Sequence, residues 1–175
     1  MSTRHRRAPQ RSTVLPVPAE QAFDLLTDVR RHADWVPLTR IDLLGPADER
    51  GHLVRGGTFV AVTGLGARRT GSPAPRRREH LRLVDRMRLE HLDPPRTADR
   101  HPGKARYLKL GPVLTGWAEV VVHPLATDVC EVEWTERIGV RGLPDAVTGP
   151  LGWLPTTAML RTVLARASRT ATEGS

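Results

Sequence analysis

Ala22, Phe23, Leu25, Leu26 and Val29 recur at helical spacing and predict an amphipathic helix that opens near Pro18. Proline is tolerated there because a first-turn N–H has no intrahelical partner to lose. Glu20 places a negative charge at the end of the helix that favours one. A short strand over Thr13–Val17 precedes the helix, and Asp28–Trp35 predicts a second turn or short helix that Pro37 ends. Beyond this point the period shortens to two. "TRIDLLG" predicts a short strand, and Val54–Thr63 alternates loosely, with Gly56 and Gly57 marking a bulge or close approach. The clearest strand lies in "EHLRLVDRMRLEHLDPP". There Leu81, Leu83, Met87 and Leu89 alternate with Arg82, Arg86, Arg88 and Glu90, while Asp85 interrupts the apolar side. "KARYLKLG", "TGWAEVVVHPL" and "TDVCEVEWTERI" complete the strands, the last two joined as a hairpin through "HPLATD". Met159, Leu160, Val163, Leu164 and Ala167 then share one helical stripe, after an irregular stretch containing Pro150, Gly152 and Pro155.

The order is strand, helical segment, six strands, helix, which predicts an α+β domain with a curved antiparallel sheet covered by a helix. A strongly curved sheet is not filled by one helix, so the architecture permits a cavity. With 175 residues the chain suits a single domain, placed at residues 13–170. Residues 1–12 read as a disordered basic tail, 65–80 as a flexible arginine-rich loop and 171–175 as a frayed tail.

The formal net charge of +8 is unevenly placed. Arg4, Arg6, Arg7 and Arg11 give the first twelve residues +4, and Arg68, Arg69, Arg76, Arg77 and Arg78 against Glu79 give residues 65–80 another +4. The remainder is formally neutral. Basicity confined to a tail and a loop, away from any ordered aromatic platform, argues against specific nucleic-acid recognition. It leaves weak contact with an anionic surface as a partner class. No run of about 18 apolar residues offers a transmembrane segment, and no signal-peptide core follows the basic N-terminus, so a cytoplasmic location is the default. The lone Cys130 rules out an intramolecular disulfide.

"STVLPVPAEQAFDLLTDVRRHADWVP" resembles the opening of the START-like (SRPBCC) helix-grip superfamily, above all its polyketide cyclase/dehydrase and lipid transport branch. Val14, Val17, Pro18, Ala19, Glu20, Ala22, Phe23, Leu26, Asp28, Trp35 and Pro37 match the pattern, and the later strands and closing helix extend the likeness over Thr13 to Arg169. The resemblance implies a Bet v 1-like sheet wrapped around a long C-terminal helix, with an apolar pocket between them. It implies a lipid or polyketide-like hydrophobic ligand, or cyclisation and dehydration chemistry. The arginine-rich stretch between Gly64 and Glu79 departs from the usual compact pattern.

Candidate chemistry follows from strand parity. Asp85 shares a side with Leu83 and Met87, Glu136 with Val132 and Trp134, and Glu119 with Trp117 and Val121. Tyr107 is a fourth candidate. Burying such groups without partners costs about 1–3 kcal/mol each, so any that converge inside are available to orient a ligand oxygen or to exchange protons. The competing expectation is a bulge that flips the parity, or an arginine that satisfies each carboxylate. Trp35, Phe59, Met87, Tyr107, Trp117, Trp134, Trp153 and Met159 are the candidate ligand-lining residues, with plain core packing as the alternative for each. The seven histidines are scattered without metal-ligand spacing. No nucleophile elbow, phosphate-binding loop or dinucleotide fingerprint appears, so neither a metal nor a cofactor is expected. Oligomeric state is not legible.

Overall fold

The computed structural model describes residues 10–36, 38–64 and 83–143, together with 165 and 169. The strands are β1 (Gln10–Leu15), β2 (Thr39–Leu43), β3 (Thr58–Thr63), β4 (Leu83–Asp93), β5 (Gly103–Gly111), β6 (Leu114–Ala126) and β7 (Val129–Val140). They form one antiparallel sheet in the order β1-β7-β6-β5-β4-β3-β2. Every neighbour except the β1–β7 pair is also a neighbour in sequence, so the sheet is a meander closed at one edge by the N-terminal strand.

Helix α1 (Ala19–Thr27) begins directly after Pro18 and is followed by a 3-10 turn at Val29–Arg31 and the short helix α2 (His32–Trp35). Ala19, Ala22, Phe23 and Leu26 are the buried face of α1, and they pack on β5, β6 and β7. Glu20, on the far side, accepts from the Thr97 backbone N–H and hydroxyl at 2.8 Å each, tying the helix to the β4–β5 connection.

The period-two pattern reports the inner face directly. Gly103, Ala105, Tyr107, Lys109 and Gly111 are buried on β5, and Ala118, Val120 and Val122 on β6. Cys130, Val132, Trp134 and Glu136 complete it on β7. Two irregularities modify β4. The register with β5 shifts between Arg86 and Met87 and again between Leu89 and His91. Asp85, Met87 and Leu89 keep one side through the β3 pairing, whereas Leu92 comes opposite the buried Ala105.

β1 starts at Gln10, with Gln10 paired to Thr135, so residues 10–12, expected in the basic tail, are strand, while residues 1–9 lie outside the described residues. An edge strand is held by backbone pairing, and its polar, half-exposed side chains give little pattern to read. The strand expected over Val54–Thr63 is likewise cut to Thr58–Thr63, because Val54–Gly57 forms a turn closed by the Gly57 N–H to Val54 carbonyl bond at 2.8 Å. Most of the expected C-terminal helix and the arginine-rich stretch lie outside the described residues. Ala165 and Arg169 are helical, with Arg169 Nε donating to the Ala165 carbonyl at 3.3 Å.

Candidate functional site

The inner face carries a charged cluster amid its apolar residues. Lys109, on β5, has a side chain only 2 % exposed. Its Nζ donates to Asp85 Oδ2 on β4 and lies 2.9 Å from Glu136 Oε1 on β7. Met87 Sδ lies 3.9 Å from the same nitrogen. Register explains how one lysine serves two strands on opposite sides of it. Met87 is its direct partner, which makes Asp85 a diagonal neighbour on the same face. On the other side its partner is Gly116 of β6, and Glu136 is paired to Ala118. These two inner positions of β6 carry at most a methyl group, so the lysine stem passes over them to reach β7. Gly116 has φ +119°, and a Cβ there would run into the Arg137 carbonyl, so only glycine fits.

Burial alone disfavours a charged amine, but the Glu136 and Asp85 carboxylates outweigh it and raise the Lys109 pKa above its ordinary value. The cluster is nonetheless incomplete. Asp85 Oδ1 and Glu136 Oε2 are buried without a hydrogen-bond partner among the described residues, as are the Tyr107 hydroxyl and Trp134 Nε1. Arg11 Nε on β1 is a fifth such atom, and Arg11 is the register partner of Trp134, so all five belong to inner-face residues of β1, β4, β5 and β7.

Aromatic groups surround them. Phe59 and Tyr107 meet edge to face with ring centres 5.9 Å apart. Burial, with a smaller contribution from the Asp28 charge, raises the Tyr107 phenol well above its ordinary value, so it is a neutral donor. His32 lies 5.7 Å from Trp134, ring centre to ring centre, and its Nε2–H donates to the Leu26 carbonyl at 2.9 Å. Burial lowers the His32 pKa, opposed by the Leu26 bond and by Asp28. Asp28 is held by Arg30 at 2.8 Å and lies 3.6 Å from Arg31 and 3.8 Å from His52.

Of the residues expected from parity, the structure brings Asp85, Tyr107 and Glu136 to one face with Phe59, Met87 and Trp134. It places Glu119 and Trp117 on the opposite face. Glu119 pairs with Lys104 at 2.9 Å and Arg106 at 3.3 Å, and the Arg106 guanidinium sits 4.5 Å above the Trp117 ring. Both residues share one parity, as the sequence suggests, but that parity is the outer one. Trp117 alternates with Ala118, and the smaller residue faces inward. The Trp35 side chain, Trp153 and Met159 lie outside the described residues, as do the arginine clusters apart from Arg11.

Sequence reasoning overlooked Lys109. Two signals pointed to it: it shares parity with Ala105 and Tyr107, and it is one of only two lysines beside 25 arginines. His32 was overlooked as well, because its neighbours in the helical turn hide any period. No group of three or more candidate metal ligands occurs among the described residues. The open surface depression lined by Asp24, Asp48, Glu49, Arg50 and His52 is polar and separate from this face. Among the described residues, no helix is long and apolar enough to cross a membrane.

No family model and no curated protein matches the sequence. Solved structures do match. A START superfamily protein from Mycobacterium smegmatis superposes with a TM-score of 0.66 at 11% identity, covering 97% of this chain and 100% of that one. A norcoclaurine synthase from Thalictrum flavum, solved with a transition-state analogue, gives 0.59 at 13% identity over 94% of this chain and 93% of that one. The di-domain aromatase/cyclase BexL, from the BE-7585A biosynthetic pathway, gives 0.58 at 12% identity over 96% of this chain and 47% of BexL. At these identities the likeness shows the fold, which is the START-like, helix-grip sheet expected from the opening motif.

Proposed function

We propose that this chain binds an amphipathic small molecule, lipid or polyketide-like, against the inner face of its sheet. The observation that carries the reading is the set of five buried polar atoms on one face that have no partner among the described residues: two carboxylate oxygens, one phenol, one indole N–H and the Arg11 Nε–H. Each costs about 1–3 kcal/mol when left unmatched. A ligand whose oxygens meet them recovers that cost, while apolar contact with Phe59, Met87 and Leu89 supplies affinity. The fold shared with START-type proteins and an aromatase/cyclase supports the same reading. Native mass spectrometry of the full chain, followed by solvent extraction, tests it. A stoichiometric small molecule is expected, with its retention reduced in Tyr107→Phe and Trp134→Phe. A ligand-free mass throughout, with no binding of added lipids or aromatic polyketides, overturns it.

A second reading, an enzyme of polyketide cyclase/dehydratase type, is favoured by the ammonium wedged between two carboxylates. A carboxylate there would take a proton from carbon α to a ketone, and the Lys109 N–H freed as that carboxylate is neutralised would stabilise the resulting enolate oxygen. Hydroxide leaving the β-carbon would depart as water with that proton, returned by the same carboxyl group, which is restored as the carboxylate. Turnover of a β-hydroxyketone that Glu136→Gln and Asp85→Asn abolish, with binding retained, separates enzyme from binder.

A further inference from the structure

The Asp85–Lys109–Glu136 end of the proposed interior site is unbalanced in charge. With all three groups ionised, Asp85 and Glu136 present two negative charges to the one positive charge of Lys109, leaving a net charge of minus one. The ammonium has three hydrogens, and three acceptors surround it: Asp85 Oδ2, Glu136 Oε1 and the weaker Met87 sulfur. It therefore has no strong donor left for an incoming anion unless one carboxylate lets go. The atoms of the same cluster that have no partner among the described residues, Asp85 Oδ1 and Glu136 Oε2, are acceptors. The Glu136 side chain is 5 % exposed, so water does not freely complete it. Asp28 adds a further negative influence on Tyr107.

We infer that the site selects a ligand with a neutral hydroxyl donor, a phenol or enol, at its carboxylate end and discriminates against a carboxylate on the same skeleton. The inference rests on the interior-binding reading and adds the chemical class of the ligand. A hydroxyl hydrogen bonds to Asp85 Oδ1 or Glu136 Oε2 without adding charge. A ligand carboxylate would take the net charge of that cluster from minus one to minus two. Tyr107, Trp134 and the Arg11 Nε–H beside Trp134 remain as donors for a carbonyl oxygen elsewhere on the ligand. Acids of either ligand class would enter as neutral esters.

Calorimetric titration of the full chain at pH 7.5 with 2-naphthol, 2-methoxynaphthalene and 2-naphthoic acid tests this. The probes share one ring system, and only the last is anionic. We expect 2-naphthol to bind at least tenfold more tightly than either of the others. An apolar cavity would also disfavour the charged acid, so the decisive arm is Asp85→Asn/Glu136→Gln, which changes the net charge from minus one to plus one. There the preference should invert toward naphthoate. The single Glu136→Gln variant, with net charge zero, should narrow the gap between naphthol and naphthoate if the double variant does not fold. Equal or tighter binding of naphthoate by the wild-type chain overturns the inference and leaves interior binding intact. So does methoxynaphthalene binding as well as naphthol, or a preference unmoved by the variants. Binding of none of the probes overturns both.

Discussion

Tyr107 and Glu136 flank the same residue: each is the register partner of Ala118, so a phenol from β5 and a carboxylate from β7 rise on either side of one methyl group. Neither the Tyr107 hydroxyl nor Glu136 Oε2 has a partner among the described residues. On the interior-binding reading, the small residue between them would keep both within reach of a common guest. Ala118→Leu should therefore remove retained ligand. It should also destabilise the fold by roughly 1–3 kcal/mol, because Ala118 is buried beneath the Lys109 stem and the added atoms overpack that position. Native mass spectrometry alongside urea unfolding checks both halves. Unchanged ligand retention would contradict the first half, and unchanged stability the second.

Lys109 offsets two buried carboxylates, so removing it alone is the harshest single change available. Lys109→Met should destabilise by about 3–5 kcal/mol, the usual cost of breaking a buried ion pair from one side. For a chain of this size that lowers Tm by roughly 6–20 °C. Replacing all three members, as Asp85→Leu/Lys109→Met/Glu136→Leu, should restore much of the loss, since no charge is then stranded. Thermal unfolding of both variants makes the test, and a triple variant no more stable than the single one would contradict it.

Three inner-face groups hold their protons more tightly in the fold than in the unfolded chain. Burial and the Glu20 charge push the Cys130 thiol from 9.0 up to about 11. Tyr107 is raised above 10.0 and Lys109 above 10.5. Because all three folded values are raised, their contributions are complete below the unfolded values and are lost as pH rises past them. Stability should therefore start to fall near pH 9 and steepen above pH 10. Cys130→Ala should delay the onset by about one pH unit. Urea midpoints between pH 7 and 11 measure this, and a flat alkaline limb would refute it.

Glu119 provides the contrast across the sheet. Its partners Lys104 and Arg106 have side chains 42 % and 37 % exposed, so the pairs are screened by water. Glu119→Gln should change stability by less than about 1 kcal/mol and leave ligand retention unaltered. Unfolding and native mass spectra of this variant, set beside those of Glu136→Gln, separate the two faces. Loss of ligand from Glu119→Gln would place the site on the wrong side.

Parity made the alternation along β5, β6 and β7 legible, and with it the grouping of Tyr107 with Ala105 and of Glu136 with Trp134. It did not reveal which side is inward. On β6 the large Trp117 suggested an interior that is in fact lined by Ala118, because α1 and the Lys109 stem already occupy the space there. Asp85 was recognisable as a break in an apolar row, whereas Lys109 resembled one more basic residue in an arginine-rich chain. Its meaning depends on Gly116 and Glu136, which are 7 and 27 positions away in sequence and adjacent only after pairing.

His32 gives the fold an acid limit of its own. Its ring packs beside Trp134 and donates to the Leu26 carbonyl at the end of α1. Burial lowers its pKa from 6.5, even though the Leu26 bond and the Asp28 charge pull the other way. With a depressed folded value, the neutral ring contributes full stability above pH 6.5. Below that the unfolded chain takes up the proton first, so stability falls until the folded value is reached. The slope cannot exceed about 1.4 kcal/mol per pH unit for one group. His32→Gln retains an N–H donor for Leu26 but has nothing to titrate. The difference in unfolding free energy between wild type and His32→Gln should therefore shrink as pH drops from 7.5 to 5. Urea unfolding at half-unit steps measures it, and a difference that stays constant would show that His32 is protonated as readily in the fold as outside it.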